Sequence, residues 1–209
     1  MLLLQPPGVY APQRDTELLA DAFREETLPR GAHVLDIGTG TGVLALLAAR
    51  SGGTVTAVDI SPLAVLTARA NARLHGRRIQ VRRGDLFDPV ATGRFQLVLA
   101  NPPYVPARTD DDRRWDAGAD GRAVIDRLCA AIPDRLDTGG VLLMVHSEMC
   151  GVATTLRSLR DAGLSIDIVR RCRVPFGPVL AGRAAWLRRR GVVGPGERDE
   201  QLVVIRAQR

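Results

Sequence analysis

Asp36-Ile37-Gly38-Thr39-Gly40-Thr41-Gly42 follows the short apolar run His33-Val34-Leu35 and precedes a helical run over 43–50. A buried-type run stopped by glycine reads as a strand, and the spacing after it reads as a helix. Glycines at such a junction permit a tight turn and let a ligand approach the backbone closely. This strand–loop–helix unit decides for an α/β fold.

The same punctuation repeats outward from the loop. Ser51-Gly52-Gly53 closes the helix, and 54–58 reads as a second strand ending at Asp59. Ser61-Pro62 is an N-cap followed by proline at the first helical position, so a helix runs to about 74, where Gly76 suits its end. Strands are expected over 79–83, 95–100, 141–145, 164–171 and 202–205, and helices over 121–136 and 152–161. Upstream, 15–27 is helical, with Leu18, Leu19, Ala22 and Phe23 on one stripe. Strand–helix alternation of this kind predicts a Rossmann-like, seven-stranded, mostly parallel sheet with helices on both faces. The whole chain, 1–209, is read as one domain. Two segments escape the pattern: a polar loop at 106–120, and a Gly/Pro/Arg stretch at 175–196 with a short helix at 183–190.

Three kinds of glycine loop compete. A phosphate loop needs Gly-Lys-Ser/Thr, and the chain contains no lysine: all 29 basic residues are arginine. A dinucleotide fingerprint needs a sixth-position glycine counted from Gly38, where Val43 stands. The third is an S-adenosylmethionine loop, acid-x-Gly-x-Gly-x-Gly. Asp36 points this way, because an acid there repels a pyrophosphate but meets the cationic amino group of methionine. Asp59, with Ile60 beside it, can accept both ribose hydroxyls. Asp85 ends the third strand and can accept from an adenine amino group, with Leu86 as an apolar wall. A single strand-end Asp is usually a turn former. Three on successive strands all fall on the carboxyl edge, where doubly wound sheets take ligands.

Asn101-Pro102-Pro103-Tyr104 follows the fourth strand on that edge. As a bare tetrapeptide it reads as a turn; behind the glycine loop it reads as chemistry. A planar –NH2 conjugated to a carbonyl or ring is a poor nucleophile. The Asn101 side-chain oxygen and the Pro102 carbonyl can each accept one of its hydrogens, orienting the nitrogen and stabilising developing charge. Prolines present their carbonyls rigidly, and Tyr104 can pack on a flat substrate group. A sulfonium donor is already activated, so no general base is required, and His33, His75 and His146 match no triad spacing.

On these residues the chain resembles the HemK-type class I S-adenosylmethionine-dependent methyltransferases, which methylate glutamine side-chain amides, including that of Gly-Gly-Gln in peptide-chain release factors. Val9-Tyr10-Ala11-Pro12-Gln13-Arg14-Asp15-Thr16-Glu17-Leu18-Leu19 resembles the family's opening segment, which implies that 1–30 folds over the cofactor with Thr16 near its methionine end. Trp115-Asp116-Ala117-Gly118-Ala119-Asp120-Gly121-Arg122 resembles the short subgroup of eukaryotic and archaeal release-factor enzymes, which lacks an N-terminal helical domain. The resemblance implies S-adenosylmethionine bound by Thr16, Asp36, Gly38, Thr39, Gly40, Gly42, Asp59, Ile60, Asp85, Leu86 and Asn101. It implies catalysis by Asn101, Pro102 and Tyr104, with Pro103 also on the acceptor. It also implies a release factor as substrate and leaves room for a small partner subunit.

Composition narrows the rest. Hydrophobic residues make up 45% of the chain, enough for a layered core, and aromatics only 4%, too few for broad base-stacking surfaces. Cys129, Cys150 and Cys172 form no CxxC pair, so no zinc site or disulfide framework is indicated and a reducing cytoplasm is expected. No apolar run approaches membrane-spanning length and no signal peptide opens the chain. The net charge of +6 is uneven. Residues 170–209 hold ten arginines against three acids, while 1–169 is nearly neutral. The arginine-rich stretch at 175–196 could meet nucleic-acid phosphate or an acidic protein face, or be plain solvated loop. A nucleic-acid exocyclic amine is therefore the alternative acceptor, with a small molecule as a third.

Overall fold

The computed structural model describes residues 1–107 and 117–209. Among them one sheet contains β1 (His33–Ile37), β2 (Thr54–Asp59), β3 (Ile79–Arg83), β4 (Phe95–Ala100), β5 (Leu136–Ser147), β6 (Ser165–Pro175) and β7 (Asp199–Gln208). The helices are α1 (Arg14–Glu25), α2 (Val43–Arg50), α3 (Pro62–Leu74), α4 (Ala123–Ala131), α5 (Val152–Asp161) and α6 (Pro178–Arg189). Across the sheet the order is β3-β2-β1-β4-β5-β7-β6. Pairs from β3 to β5 are parallel; β7 runs antiparallel to both β5 and β6. The order reverses between β1 and β4, which is where open α/β sheets bind ligands.

The strands read as near-continuous apolar runs because both faces are buried. On one face Leu35, Ile37, Val98, Leu142 and Met144 pack with Ile125 and Leu128 of α4 and Leu159 of α5. On the other, Val34, Ala57, Leu97, Leu99 and Leu143 pack with Leu19 and Phe23 of α1, Ala45 and Ala48 of α2, and Val65 and Ala68 of α3. Period-2 alternation along each strand thus feeds two cores.

Several boundaries differ from the sequence reading. The helix expected over 121–136 is only nine residues long and gives way to a 3-10 turn, Ile132–Asp134, around Pro133. A proline disfavours the α conformation of the residue before it and lacks the N–H that would continue the ladder. The strand expected over 141–145 already begins at Leu136, which pairs with Phe95 before a register shift. Gly140 makes this pairing feasible, since an added Cβ would lie 2.7 Å from the Phe95 carbonyl oxygen. β6 and β7 each outrun their expected bounds, because their polar ends still pair with each other from Ser165–Gln208 to Pro175–Asp199. The stretch at 175–196 is mostly α6, which starts at Pro178 rather than 183, with proline in the first turn. Among the described residues no helix is long and apolar enough to cross a membrane.

Candidate active site

The carboxyl ends of β1–β4 surround a cavity of about 410 Å³. The glycine loop folds over β2: Gly38 and Thr39 donate their N–H groups to Val58 O (2.9 and 3.0 Å). Gly40 N–H then donates to Asp59 Oδ2 and Ser61 N–H to Asp59 Oδ1, both at 2.9 Å. One acid at the end of β2 therefore holds the loop of β1 and starts α3. Burial pushes the Asp59 carboxyl up, against the pull of these backbone donors. Two glycines are required for steric reasons. Gly40, at φ +54°, would bring a Cβ to 3.4 Å from Tyr10 O, and Gly42, at φ +83°, to 3.1 Å from the Ala68 Cβ.

Asp36 lies beneath this loop. Its Oδ2 accepts from Thr39 Oγ1 (2.6 Å) and Ala45 N–H (3.1 Å), tying the loop to the first turn of α2. Its Oδ1 is buried with no hydrogen-bond partner. Burial pushes its acid up to about 6.

The cavity's far end is made after β3. Asp85 Oδ2 accepts from Arg127 Nη1 of α4 at 3.0 Å. Leu86 has φ +46°, the one non-glycine residue with positive φ among those described. A γ-branched side chain held there marks a backbone bent to present a wall to the cavity.

After β4, Asn101 Nδ2 donates to Thr16 Oγ1 of α1 at 3.3 Å. Its amide nitrogen is thereby engaged, and Oδ1 is the side-chain atom left to accept. Thr16 N–H donates to Asp15 Oδ1 at 2.5 Å, and Asp15 Oδ2 accepts from both Tyr10 OH (2.5 Å) and Tyr104 OH (3.1 Å). Burial and then the adjacent Asp15 push both tyrosine acids up, so both phenols stay protonated donors. Behind the turn, Cys150 Sγ donates to Tyr104 O at 3.0 Å.

The structure gathers most residues expected from the sequence. Gly38, Gly40, Asp59, Ile60, Asp85, Leu86, Asn101, Pro102, Pro103 and Tyr104 all line the one cavity. Asp36, Thr39, Gly42 and Thr16 are not on its wall and act from behind it, through the contacts above. Trp115 and Asp116 lie outside the described residues. The sequence reading missed Tyr10, Asp15 and Arg127, which line the cavity, and Glu200, which lies behind it. Asp15 sits beside Thr16 in the opening segment, but no spacing joins it to residue 104. Of the arginines in and after α6, Arg183 donates to Pro106 O, Arg188 to Glu197 O and Arg190 to Ala119 O. Among the described residues no three His, Cys, Asp or Glu side chains form a metal cluster.

The fold is that of a class I methyltransferase. The methyltransferase small domain family matches residues 1–162. A Methanocaldococcus jannaschii protein assigned as a protein N5-glutamine methyltransferase is 36% identical over 181 residues, covering 83% of this chain and 90% of that protein. The release factor glutamine methyltransferase of Geobacter sulfurreducens is 36% identical over 154 residues, 66% of this chain and 53% of that one. That of Deinococcus radiodurans is 36% identical over 196 residues, 88% and 67% of the two chains. The chain thus spans nearly all of the archaeal relative but about half of the Geobacter one. Among solved structures, the E. cuniculi Mtq2-Trm112 complex, responsible for methylation of the termination factor eRF1, matches with a TM-score of 0.70 and 27% identity, over 96% of this chain and 98% of that one. The chain belongs to the small-domain methyltransferases, in their HemK-type branch.

Proposed function

We propose that the chain transfers a methyl group from S-adenosylmethionine to the side-chain amide nitrogen of a protein glutamine, that of Gly-Gly-Gln in a peptide-chain release factor. The observation that carries this reading is the fixed Asn101 amide. Thr16 holds its nitrogen, so its oxygen and the Pro102 carbonyl are the acceptors offered to a planar –NH2. Two acceptors at fixed positions orient that nitrogen and favour the charge it gains as it attacks.

The cavity suits the cofactor in its donor set. Asp59 uses one lone pair of each oxygen on a backbone N–H, so further acceptor capacity faces a ribose diol. Gly38 and Gly40 leave space that a side chain would fill, which suits a methionine chain lying on the loop. Leu86 and Ile60 offer apolar walls to a purine, with Asp85 beside them. The bound cofactor would supply a methyl group on a sulfonium that needs no further activation. Asp36, buried below, positions the loop. The segment at 1–30 covers the cavity through Gly8, Val9 and Tyr10. The chain is taken as one catalytic domain.

The same reading places the reaction in the cytoplasm, with translation factors, and allows a small partner subunit. Leu66 and Leu74 of α3 are 61% and 54% exposed, beside the edge strand β3. The E. cuniculi relative is a complex with Trm112. An apolar row next to an open strand edge suits such a subunit. A nucleic-acid acceptor draws less support, because Arg183, Arg188 and Arg190 are engaged with the chain's own carbonyls.

The test is mass spectrometry of a release factor and of bulk RNA after incubation with labelled cofactor. The expected outcome is label on the Gly-Gly-Gln peptide. Label on RNA alone overturns the reading.

A further inference from the structure

Arg122 carries its charge in a place that does not favour one. It is 8% exposed, stands at the N-cap of α4 and reaches Gly151, the N-cap of α5. Helix N-termini carry partial positive charge, so a cation is disfavoured at both. Burial of the charge adds to that cost. Its Nη1 donates to Cys150 O (2.5 Å), Gly151 O (3.1 Å) and Thr155 Oγ1 (3.1 Å), all neutral acceptors. Its Nη2 donates to Asp126 Oδ1 at 2.5 Å, a carboxylate whose side chain is 56% exposed. Holding α4 against α5 needs no buried charge, because Ile125 and Leu128 already pack in one core with Leu159.

What the guanidinium fixes lies against the back of the Asn-Pro-Pro-Tyr turn. Cys150, whose carbonyl it holds, donates its thiol to Tyr104 O at 3.0 Å. Burial pushes the Cys150 thiol up, so it keeps the proton that it donates. Gly121 closes the same spot from the other side. An added Cβ there would lie 2.3 Å from Tyr104 O and 2.7 Å from Cys150 Sγ. Tyr104 O therefore meets the residue bonded to Arg122 and the residue that Arg122 holds. Pro102 and Pro103 have fixed φ, so the turn is stiff and a shift at Tyr104 is carried forward to Pro102 O and Asn101. From the front, the turn is held by Thr16 and Asp15.

We infer that Arg122 is a positioning residue of the acceptor side: by holding Cys150 O and Gly151 O it keeps the Cys150 thiol on Tyr104 O, and so sets where Asn101 and Pro102 present their oxygens. Asn101 touches the reacting amide; Arg122 acts on it through Cys150 and Tyr104. This rests on the Asn-Pro-Pro-Tyr turn being the acceptor site. The glycine loop is braced separately, by Val58 O and Asp59, so loss of the relay lowers the rate of transfer with little effect on the cofactor.

The test is methyl transfer to a Gly-Gly-Gln peptide at saturating cofactor by Cys150→Ala, Cys150→Ser, Arg122→Met and the double variant, each shown to be folded by thermal melting. C150A is expected to lower kcat about tenfold, the scale of one hydrogen bond, while the calorimetric Kd of the cofactor changes less than about threefold. C150S restores a donor and is expected to recover most of that loss. R122M should lower kcat at least as far as C150A, and R122M/C150A no further than R122M, because both changes act on one contact. Arg122→Lys, which keeps the charge but not the fork, takes the place of R122M if the latter does not fold. Unchanged kcat in the Arg122 variant, C150S no better than C150A, or losses that multiply in the double variant overturn the inference. A cofactor Kd that rises as much as kcat falls also overturns it. Absence of transfer by the wild type counts against the amide reading instead, and hydrogen exchange of the intact protein then decides the positioning. Exchange at Asn101, Tyr104 and Val105 is expected to rise about tenfold in the Arg122 variant and in C150A, with residues 37–42 unchanged. No rise, or an equal rise in both segments, overturns it.

Discussion

The two sides of the central cavity are built by different means. On the side proposed for the cofactor, the lining groups stand within a few residues of the ends of β1, β2 and β3. They brace one another through short backbone contacts, such as Gly40 N–H to Asp59. On the acceptor side, Tyr10, Asp15, Asn101 and Tyr104 come from separate parts of the chain. The opening segment and the Asn-Pro-Pro-Tyr turn are joined through side-chain hydrogen bonds that span up to 89 residues. Parallel strand ends deliver the first set to one edge by topology. The second set depends on how α1 packs over the sheet, so a change in one member is passed to its neighbours.

The sharpest way to break this division is Asn101→Ala. Removing an acceptor that acts on developing charge is expected to lower turnover about a thousandfold. Cofactor affinity, measured by calorimetry, should shift less than about threefold, well under 1 kcal/mol. A comparable loss of cofactor binding would show that the two sides are not separable. Asp59→Ala is the mirror test and comes next in size. It removes hydrogen bonds to a charged group, each worth about 1.5–3 kcal/mol, so the cofactor Kd should rise about a hundredfold. Turnover at saturating cofactor should fall far less than in N101A. A larger effect on turnover than on Kd would contradict the assignment of Asp59 to the cofactor side.

This contrast also explains what could be read from the chain. The glycine loop, Asp59 and Asp85 were legible because each sits where a short apolar run meets a turn former, and local spacing carries that signal. The Asn-Pro-Pro-Tyr turn was legible for the same reason. Asp15 and Glu200 were not, because nothing in their spacing brings α1 to the start of β7; packing does. The length of β5 was not legible, because its pairing with β4 jumps from Leu136 to Val141 across a register shift. The stretch at 175–196 was left open between a phosphate surface, an acidic protein face and a solvated loop; within it Arg183 and Arg190 hold the backbone on either side of the segment between Pro106 and Ala119. The helix start was placed too late, at 183, although Pro178 stands in the first turn of α6.

Glu200 and Asp36 give the two sides a second point of comparison, through pH. Both are buried acids whose folded-state values lie above their unfolded ones, at about 7 and about 6. In the folded chain each holds its proton to higher pH than in the unfolded chain. Their contribution to stability is therefore full below about pH 4 and is lost as pH rises through the folded values. Glu200→Gln removes the acceptor-side share alone, because Asp36 is common to both proteins. The expected result is near-equal stability around pH 4 and a widening advantage for E200Q, reaching about 2 kcal/mol by pH 8 in denaturant melts. A constant offset across that range would mean that Glu200 does not titrate as its burial implies.

Leu86 sharpens the comparison at the smallest scale, since it is the place where the cofactor side relies on backbone geometry against local preference. At φ +46° a leucine has its Cβ crowded by the following carbonyl, at a cost of about 1–2 kcal/mol, which glycine would not incur. Its side chain is half-buried against the core and faces the cavity. Leu86→Gly therefore acts in opposite directions on two observables. Relief of the backbone offsets the lost packing, so the melting temperature of the ligand-free protein should change by no more than about 3 °C, less than about 1 kcal/mol. The apolar wall is lost outright, so the cofactor Kd should rise about tenfold, close to the 1.4 kcal/mol that partial loss of a leucine contact represents. Leu86→Ala keeps the strained geometry and also loses the wall. It should match the glycine variant in affinity and fall below it in stability. Equal stability of the two would mean that the positive φ costs nothing here, and that the bend after β3 is set by its surroundings alone.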